Sequence, residues 1–183
     1  GLDGMFGIVG FESEFQYTSA SLDESVTPNG EDSYSIFGFY ADVYAKLDAV
    51  KPGVFFAYGS VDDDAGVQFN FGDDFDGHGA EMIGNEFAFG GIDAIGGATY
   101  FGVYADFAAS DALSFFGQIG YATGNSDSTI EDDTCLDVSL RGAYKVTDAV
   151  TYAVGGGYAT VDRDQGDDPD PGYKLYHKLT IAF

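Results

Sequence analysis

The chain has one cysteine, no tryptophan, four prolines and only seven basic residues. Cys135 alone cannot form an intramolecular disulfide, so cysteine content carries no evidence about the redox compartment. No apolar run approaches the roughly 18 residues of a membrane-spanning helix, so a membrane protein of this sequence has to be a closed β-barrel. With 31 acidic residues and a net charge of −24, nucleic acid and anionic lipid surfaces are disfavoured as partners.

The residues that are abundant indicate one strand-rich domain. Hydrophobic residues make up 45% and aromatic residues 16% of the 183 positions, which argues against general disorder, and 27 glycines favour many turns. Three stretches resemble one another, at 43–60, 103–124 and 142–160. Each has an alternating segment, a short turn containing Asp-Ala and a second alternating segment. This pattern predicts three β-hairpins.

The three hairpins, with an opening and a closing strand, give eight predicted strands. Their short turns alternate with longer, acidic, Gly-rich connections, as in the up-and-down barrels of outer membranes. The predicted strands are 4–17, 33–47, 53–61, 98–108, 113–124, 134–146, 149–161 and 172–183. We expect the first and last strands to pair, which leaves no free edge. The stretch 62–97 contains "VQFNF" and "NEFAF", which either form an external hairpin or add two strands to give ten.

The last predicted strand, "YHKLTIAF" at 176–183, alternates strictly between two kinds of side chain. Phe183, Ile181 and Leu179 share one face with His177, and Lys178 lies on the other. With this ending, the chain resembles the small eight-stranded bacterial outer-membrane β-barrels, such as the membrane domain of OmpA-type proteins and OmpW-like barrels. Phe183, Ile181 and Leu179 resemble the signal that the barrel-assembly machinery reads.

The resemblance covers the whole length and implies a fold and a location. The implied fold is all-β, a transmembrane antiparallel up-and-down β-barrel, with residues 1–183 as a single domain. The implied location is the outer membrane of a Gram-negative-type cell, with the acidic loops on the cell exterior. Outer-membrane lipid, lipopolysaccharide and the barrel-assembly machinery are the implied partners. No particular activity is implied.

Assigning the more apolar parity of each strand to lipid places five of the seven basic residues inside the barrel. Five acidic residues share that parity, which predicts a neutral lumen filled by salt bridges. These ten residues are Glu12, Glu14, Asp42, Lys46, Asp106, Asp137, Arg141, Lys145, Lys174 and Lys178. Tyr40, Tyr44, Tyr100 and Tyr104 also point inward, where we expect them to add hydrogen bonds to the salt bridges. Eight strands enclose only enough space for side chains. We therefore expect a plugged lumen; a gated ion path is the alternative.

Four predicted loops hold 22 of the 31 acidic residues: four in 18–32, nine in 62–97, four in 125–134 and five in 162–171. Within them, "DDFDGHGAE" and "DRDQGDDPD" place carboxylates beside glycine, as in sites for hard cations. The candidate Ca²⁺ ligands are Asp73, Asp74, Asp76, Glu81, Asp162, Asp164, Asp167 and Asp168. Neither stretch has the full twelve-residue calcium-loop pattern, so a solvated acidic loop is the alternative.

No catalytic residues are predicted. His78 lies in an acidic loop, and His177 has Leu175 and Leu179 as neighbours on its face, with no Ser at that spacing. His177 and Gly156 are instead candidates for a lateral contact between barrels. The sequence predicts a structural barrel that needs no cofactor, displays an acidic, cation-binding surface, and self-associates, forms a lattice or adheres to other cells. A passive or gated small-solute channel, a lipid-modifying enzyme and a soluble lipocalin-like barrel are alternatives.

Overall fold

The computed structural model describes residues 1–21, 30–69, 97–125 and 131–182, and the regular elements in these ranges are β-strands. They are β1 (Leu2–Phe6), β2 (Val9–Ser21), β3 (Ser33–Ala45), β4 (Val50–Gly59), β5 (Val61–Asp62), β6 (Val67–Gln68), β7 (Ala98–Ala108), β8 (Leu113–Gly124), β9 (Thr134–Thr147), β10 (Val150–Asp162) and β11 (Gly172–Ile181). No helix in this part of the chain is long and apolar enough to cross a membrane.

Nine of the strands form one antiparallel sheet with the order β1-β2-β3-β4-β7-β8-β9-β10-β11. Each strand of this sheet pairs with the strand that follows it in the chain, except at β4. Because β5 and β6 form a separate small sheet, β4 pairs with β7. The all-β, antiparallel part of the predicted fold is therefore confirmed. Seven of the eight predicted strands coincide with β3, β4 and β7 to β11, with ends that differ by three residues or fewer.

The short turns contain the Asp-Ala pairs seen in the sequence. Asp48 takes a φ of 34°, an uncommon value for a non-glycine residue that aspartate tolerates better than most. In the next turn, Ser110 Oγ accepts a 3.1 Å hydrogen bond from the backbone N–H of Leu113. Thr147 Oγ1 accepts one from Ala149 in the third turn, at 3.2 Å. These three turns lie at one end of the sheet, the short-turn end. The strand ends that flank the longer connections lie at the opposite end, here called the long-connection end.

The predicted first strand, 4–17, is wrong because the chain reverses within it. β1 and β2 form a hairpin in which Phe6 lies opposite Val9. Gly7 begins the two-residue turn with a φ of 62°, which glycine adopts without the steric cost of a Cβ. A turn of this kind follows the natural twist of two antiparallel strands. β2 therefore starts later and continues further than predicted, to Ser21.

The predicted closure of the barrel is not observed. β1 and β11 lie at the two edges of the sheet, and no ladder joins them within the described ranges. β1 covers the edge of β2 only from Val9 to Ser13. Of the two segments that would give ten strands, "VQFNF" contributes the two-residue β6, which pairs with β5 in a separate small sheet. The segment "NEFAF" lies outside the described residues.

One face of the large sheet, here called the inner face, is buried. Tyr100, Ala122, Cys135 and Ala159 come from four successive strands, and their exposed fractions are 0–1%. They pack in a single cluster together with Phe55 of β4. Because residues from β4 to β10 meet in one cluster, the sheet curves around this face.

Glycines on the inner face make room for aromatic rings. A Cβ at Gly120 would overlap the ring of Tyr100 on the neighbouring strand, and one at Gly38 would overlap the ring of Phe69. Phe69 follows β6 and is 4% exposed. The β5–β6 hairpin thereby brings an aromatic ring onto the inner face at the long-connection end.

Candidate functional site

The opposite face of the sheet, the outer face, exposes large apolar side chains. Val54, Val103 and Ile119 lie side by side near the middle of their strands and are 52–53% exposed. Further exposed members of this apolar belt are Phe15, Phe37, Phe39, Val43, Phe56, Phe101, Phe107, Phe115, Leu136, Leu140, Val154, Leu175, Leu179 and Ile181. The belt has the parity that the sequence assigns to lipid. Monomeric soluble proteins rarely expose a contiguous apolar patch of this extent.

Aromatic residues border the apolar belt at both ends of the strands. At the long-connection end the outer face carries Tyr17, Tyr58, Tyr121, Tyr158 and Tyr173. At the short-turn end it carries Phe107, Phe115, Tyr144 and Tyr152. Neighbouring rings touch across strands: the centroids of Tyr158 and Tyr173 are 5.3 Å apart. Two such aromatic girdles around an apolar band are typical of transmembrane β-barrels, and here they form without tryptophan.

Buried carboxylates on the inner face accept hydrogen bonds from hydroxyl groups. Tyr104 Oη on β7 donates to both carboxylate oxygens of Asp42 on β3, at 2.9 and 3.1 Å, and Asp42 is 4% exposed. Ser139 Oγ donates to Asp137 Oδ1 at 2.6 Å, with both residues fully buried. A hydrogen bond to an ionised group stabilises more than a neutral one. The Tyr104–Asp42 contact ties β3 to β7, two strands away.

Replacing Tyr104 by Phe is expected to lower the free energy of unfolding by about 1–3 kcal/mol, because the buried Asp42 carboxylate loses its hydroxyl donor. Tyr144→Phe removes the same atom from an exposed outer-face ring and serves as the control. Urea unfolding of both variants in the same lipid, followed by circular dichroism, measures the difference. Equal losses would show that the Tyr104–Asp42 contact adds nothing to stability.

Three of the cations predicted to line the lumen lie over aromatic rings of the inner face. The distances to the ring centroids are 5.2 Å for Arg141 over Phe116, 5.4 Å for Lys174 over Tyr176 and 5.7 Å for Lys46 over Tyr44. A cation over an aromatic face is stabilised by the ring's electron density. The aromatic residues of the inner face thus contact charged groups.

Two ion pairs involve predicted lumen residues, and both differ from the pairing expected. Lys145 Nζ lies 2.8 Å from Asp148 in the exposed β9–β10 turn. Asp106 lies 3.9 Å from Lys51 Nζ, a lysine that the sequence analysis misses because the predicted strand starts after Pro52. β4 begins at Val50, so Lys51 falls on the strand.

Charge on the inner face is divided between the two edges of the sheet. The acidic members at the β1–β3 edge are Asp3, Glu12, Glu14 and Asp42, and in the register Glu12 lies opposite both Asp3 and Asp42. On β9, Lys145 pairs with Asp148 of the turn. The other basic members on β9 and β11 are Arg141, Lys174 and Lys178. These three line an open cavity of about 660 Å³ near the short-turn end, together with Asp106. A second cavity of about 440 Å³ is lined by Asp3, Glu12 and Glu14.

The predicted metal ligands are not brought together where the structure describes them. Within residues 1–21, 30–69, 97–125 and 131–182, no group of three or more His, Cys, Asp or Glu side chains could hold a metal ion. This range includes Asp162, Asp164, Asp167 and Asp168. Asp168 Oδ1 instead accepts a 2.8 Å hydrogen bond from the backbone N–H of Arg163. Asp73, Asp74, Asp76 and Glu81 lie outside the described residues, so the Ca²⁺ site stays a prediction.

The residues predicted for lateral contact and for assembly lie on the outer face. His177 stands 6.0 Å from the ring of Tyr152, measured between centroids. Gly156 lies opposite Leu140 and Leu175. The alternating terminal residues Leu179 and Ile181 are exposed on the same face, and Phe183 is outside the described residues. Self-association and recognition by the assembly machinery stay predictions.

No protein-family model, curated protein or solved structure matches the chain. The polarity of the two faces and the distribution of charge are therefore the observations from which a function has to be inferred.

Proposed function

We propose that the chain is a structural β-barrel of the outer membrane of a Gram-negative-type cell, with its apolar belt in lipid, a filled interior and an acidic outer surface. The inverted polarity of the sheet carries this proposal. Val103 on the outer face is 53% exposed, while its neighbour Tyr104 and the Tyr104 partner Asp42 are 5% and 4% exposed. Such an arrangement is stable when acyl chains cover the outer face.

A soluble barrel requires the opposite arrangement. In water the apolar belt would stay hydrated. The free-energy cost is about 25 cal/mol for each Å² of apolar surface that is not removed from water. The lipocalin-like alternative places the apolar parity inside, whereas the buried inner-face residues include Asp42, Asp137 and Ser139. The observed faces favour lipid over water as the surroundings of the outer face.

The filled interior favours a structural role over transport. Phe55 and Tyr100 pack with ring centroids 4.8 Å apart, and Tyr104 and Phe116 are 6.2 Å apart. Together these rings cover the inner face from β4 to β8. The strand ends that flank the acidic connections lie at one end of the sheet. In a barrel these connections would form one anionic surface, and cations or cation-bridged lipopolysaccharide would reduce the repulsion within it.

Purified protein reconstituted in a planar lipid bilayer is expected to give no stepwise conductance above the lipid baseline, because the packed cluster around Phe55, Tyr100 and Tyr104 would block the interior of the barrel. The measurement is single-channel current at several voltages in monovalent salt. The protein-free bilayer and a known open porin are the negative and positive controls. Regular current steps of one size would contradict the structural role and support a channel.

A small-solute channel is the second candidate, and one observation favours it. The open cavity of about 660 Å³ lies on the inner face and contains Arg141, Lys174 and Lys178. In a channel, cations at this position would line the entrance from the short-turn end and select for anions. The conductance measurement separates the two candidates. A lipid-modifying enzyme has less support, since the aromatic contact of His177 is Tyr152.

A further inference from the structure

The tyrosines of the long-connection girdle lie on an oblique line across the sheet. Each outer-face residue belongs to a row of paired residues that can be traced back to one residue of β2. Tyr17 starts its own row, Tyr58 traces to Phe15, Tyr121 traces to Ser13, and Tyr158 and Tyr173 both trace to Phe11. The tyrosine on β2 therefore lies in the row of residue 17, and the tyrosines on β4, β8 and β10 lie in the rows of residues 15, 13 and 11 of β2. The line descends by one residue per strand.

The girdle at the short-turn end has the same slope. Phe107 pairs with Phe115 on β7 and β8, and Tyr144 pairs with Tyr152 on β9 and β10. Phe115 also pairs with Gly142, which lies two residues before Tyr144. The girdle therefore again moves by two residues over two strands. Because a membrane interface is flat, two parallel girdles with this slope indicate strands tilted from the membrane normal.

The slope gives the stagger of the barrel. One residue per strand over the eight strands β2–β4 and β7–β11 is a stagger of eight residues. With a rise of about 3.3 Å per residue and a spacing of about 4.8 Å between strands, this stagger corresponds to a tilt of about 35°. Closed barrels have tilts of about 35–45°. The girdles are therefore compatible with closure by these eight strands.

The stagger also predicts which residues meet when the sheet closes. The row that starts at Glu12 reaches β11 at Gly172. In a closed barrel with a stagger of eight residues, a row that leaves β2 at residue 12 returns to β2 eight residues further on, at residue 20. Gly172 therefore comes to lie opposite Ala20. We propose that β11 closes on the free edge of β2 in this antiparallel register, with Lys178 opposite Glu14 on the inner face. The inference rests on the proposed membrane barrel and specifies its seam.

The charges of the two edges support this register independently of the girdles. Asp3 and Glu12 are directly paired carboxylates, an unfavourable arrangement unless cations lie nearby. Lys178 has no salt bridge within the described part of the chain. Closure places it opposite Glu14, and opposite charges across a strand pair stabilise the pair. The basic edge and the acidic edge then neutralise each other inside the lumen.

β1 competes with β11 for part of the same edge. In the proposed register β11 pairs with β2 from position 20 down to Phe11, whereas β1 pairs with β2 from Ser13 to Val9. The two strands overlap at positions 11 to 13. Closure therefore requires three of the five β1 residues that pair with β2 to lose this pairing. The hairpin turn at Gly7 is the point about which β1 can rotate away from β2.

Disulfide trapping in membranes tests the register. Two double-cysteine variants are made in a Cys135→Ala background and oxidised in reconstituted vesicles. One carries the inner-face pair Glu14→Cys and Lys178→Cys, and the other carries the outer-face pair Phe15→Cys and His177→Cys. The expected result is an intramolecular disulfide in at least one pair, seen as a faster-migrating band without reductant. Two adjacent pairs are needed because hydrogen-bonded and non-hydrogen-bonded positions differ in their Cα separation. Gln16→Cys with Lys178→Cys is the control for a slip of two residues.

Each other outcome overturns the inference in a different way. Trapping only in the Gln16 and Lys178 pair would give a stagger of ten residues and exclude the proposed register. Disulfide-linked dimers would show that the edges pair between two copies of the chain. No disulfide in any pair would exclude both the proposed register and the one shifted by two residues. None of these results bears on whether the outer face contacts lipid. The stability of a Val103→Arg variant in a lipid bilayer tests that question separately.

Discussion

Val103→Arg is expected to lower the free energy of unfolding by about 2–4 kcal/mol in a lipid bilayer, the cost of a cation on the lipid face at midplane depth. Val103 occupies the middle of β7, and its partners Val54 and Ile119 are also apolar. In water, the same change at a position that is 53% exposed would alter stability by about 0.5 kcal/mol or less. The size of the loss therefore reports the solvent of the outer face.

Ala109→Arg provides the matched control for this substitution. Ala109 is exposed in the turn that follows β7, where a cation stays in water or at the headgroups. Both variants are unfolded by guanidinium in phospholipid vesicles, and the midpoints and slopes of the circular dichroism signal are compared. Similar small losses for the two variants would contradict a membrane location for the belt.

The positions of seven strands can be predicted from the sequence because each strand separates two different environments. On β7, for example, Phe101, Val103 and Phe107 alternate with Tyr104 and Asp106, and the observed strand is the predicted 98–108. This period of two is expected in any barrel or sheet that has one apolar and one polar face. The parity of the faces follows from the same pattern, and the structure places Val103 outside and Tyr104 inside as predicted.

The first strand and the seam could not be predicted in this way. Every residue from 4 to 11, "GMFGIVGF", is glycine or apolar, so periodicity does not show whether the chain extends or reverses at Gly7. The predicted strand 53–61 leaves out Lys51, whereas β4 begins at Val50 and contains it. Whether β11 meets β2 depends on register across the whole sheet, which no local pattern encodes.

The predicted lumen network shows which part of a site follows from parity and which part does not. Parity identifies Asp42 and Arg141 as inner-face residues, but it does not choose their partners. Asp42 accepts hydrogen bonds from Tyr104, and Arg141 lies over Phe116. The sequence analysis expected salt bridges together with tyrosine hydrogen bonds, without naming which groups pair. The Tyr104–Asp42 contact is a tyrosine hydrogen bond of this kind, whereas the contact of Arg141 with Phe116 was not expected.

Tyr100→Ala is expected to lower the free energy of unfolding by about 3–5 kcal/mol, the cost of deleting a large buried aromatic side chain. The exposed fraction of Tyr100 is 0%. Its ring lies 4.8 Å from that of Phe55 and fills the space above Gly120. The same vesicle-based unfolding experiment measures the loss.

Tyr100→Phe separates the ring from its hydroxyl group. This variant keeps the packing with Phe55 and loses the 2.8 Å hydrogen bond that Gln118 Nε2 donates to Tyr100 Oη, so the expected loss is about 0.5–1.5 kcal/mol. A large gap between the two variants indicates a dry, close-packed interior, because only then does the deleted ring leave a cavity that nothing fills. A loss below about 1 kcal/mol for Tyr100→Ala would mean that water replaces the ring at low cost, and the inner face would then line a hydrated path, as the channel candidate requires.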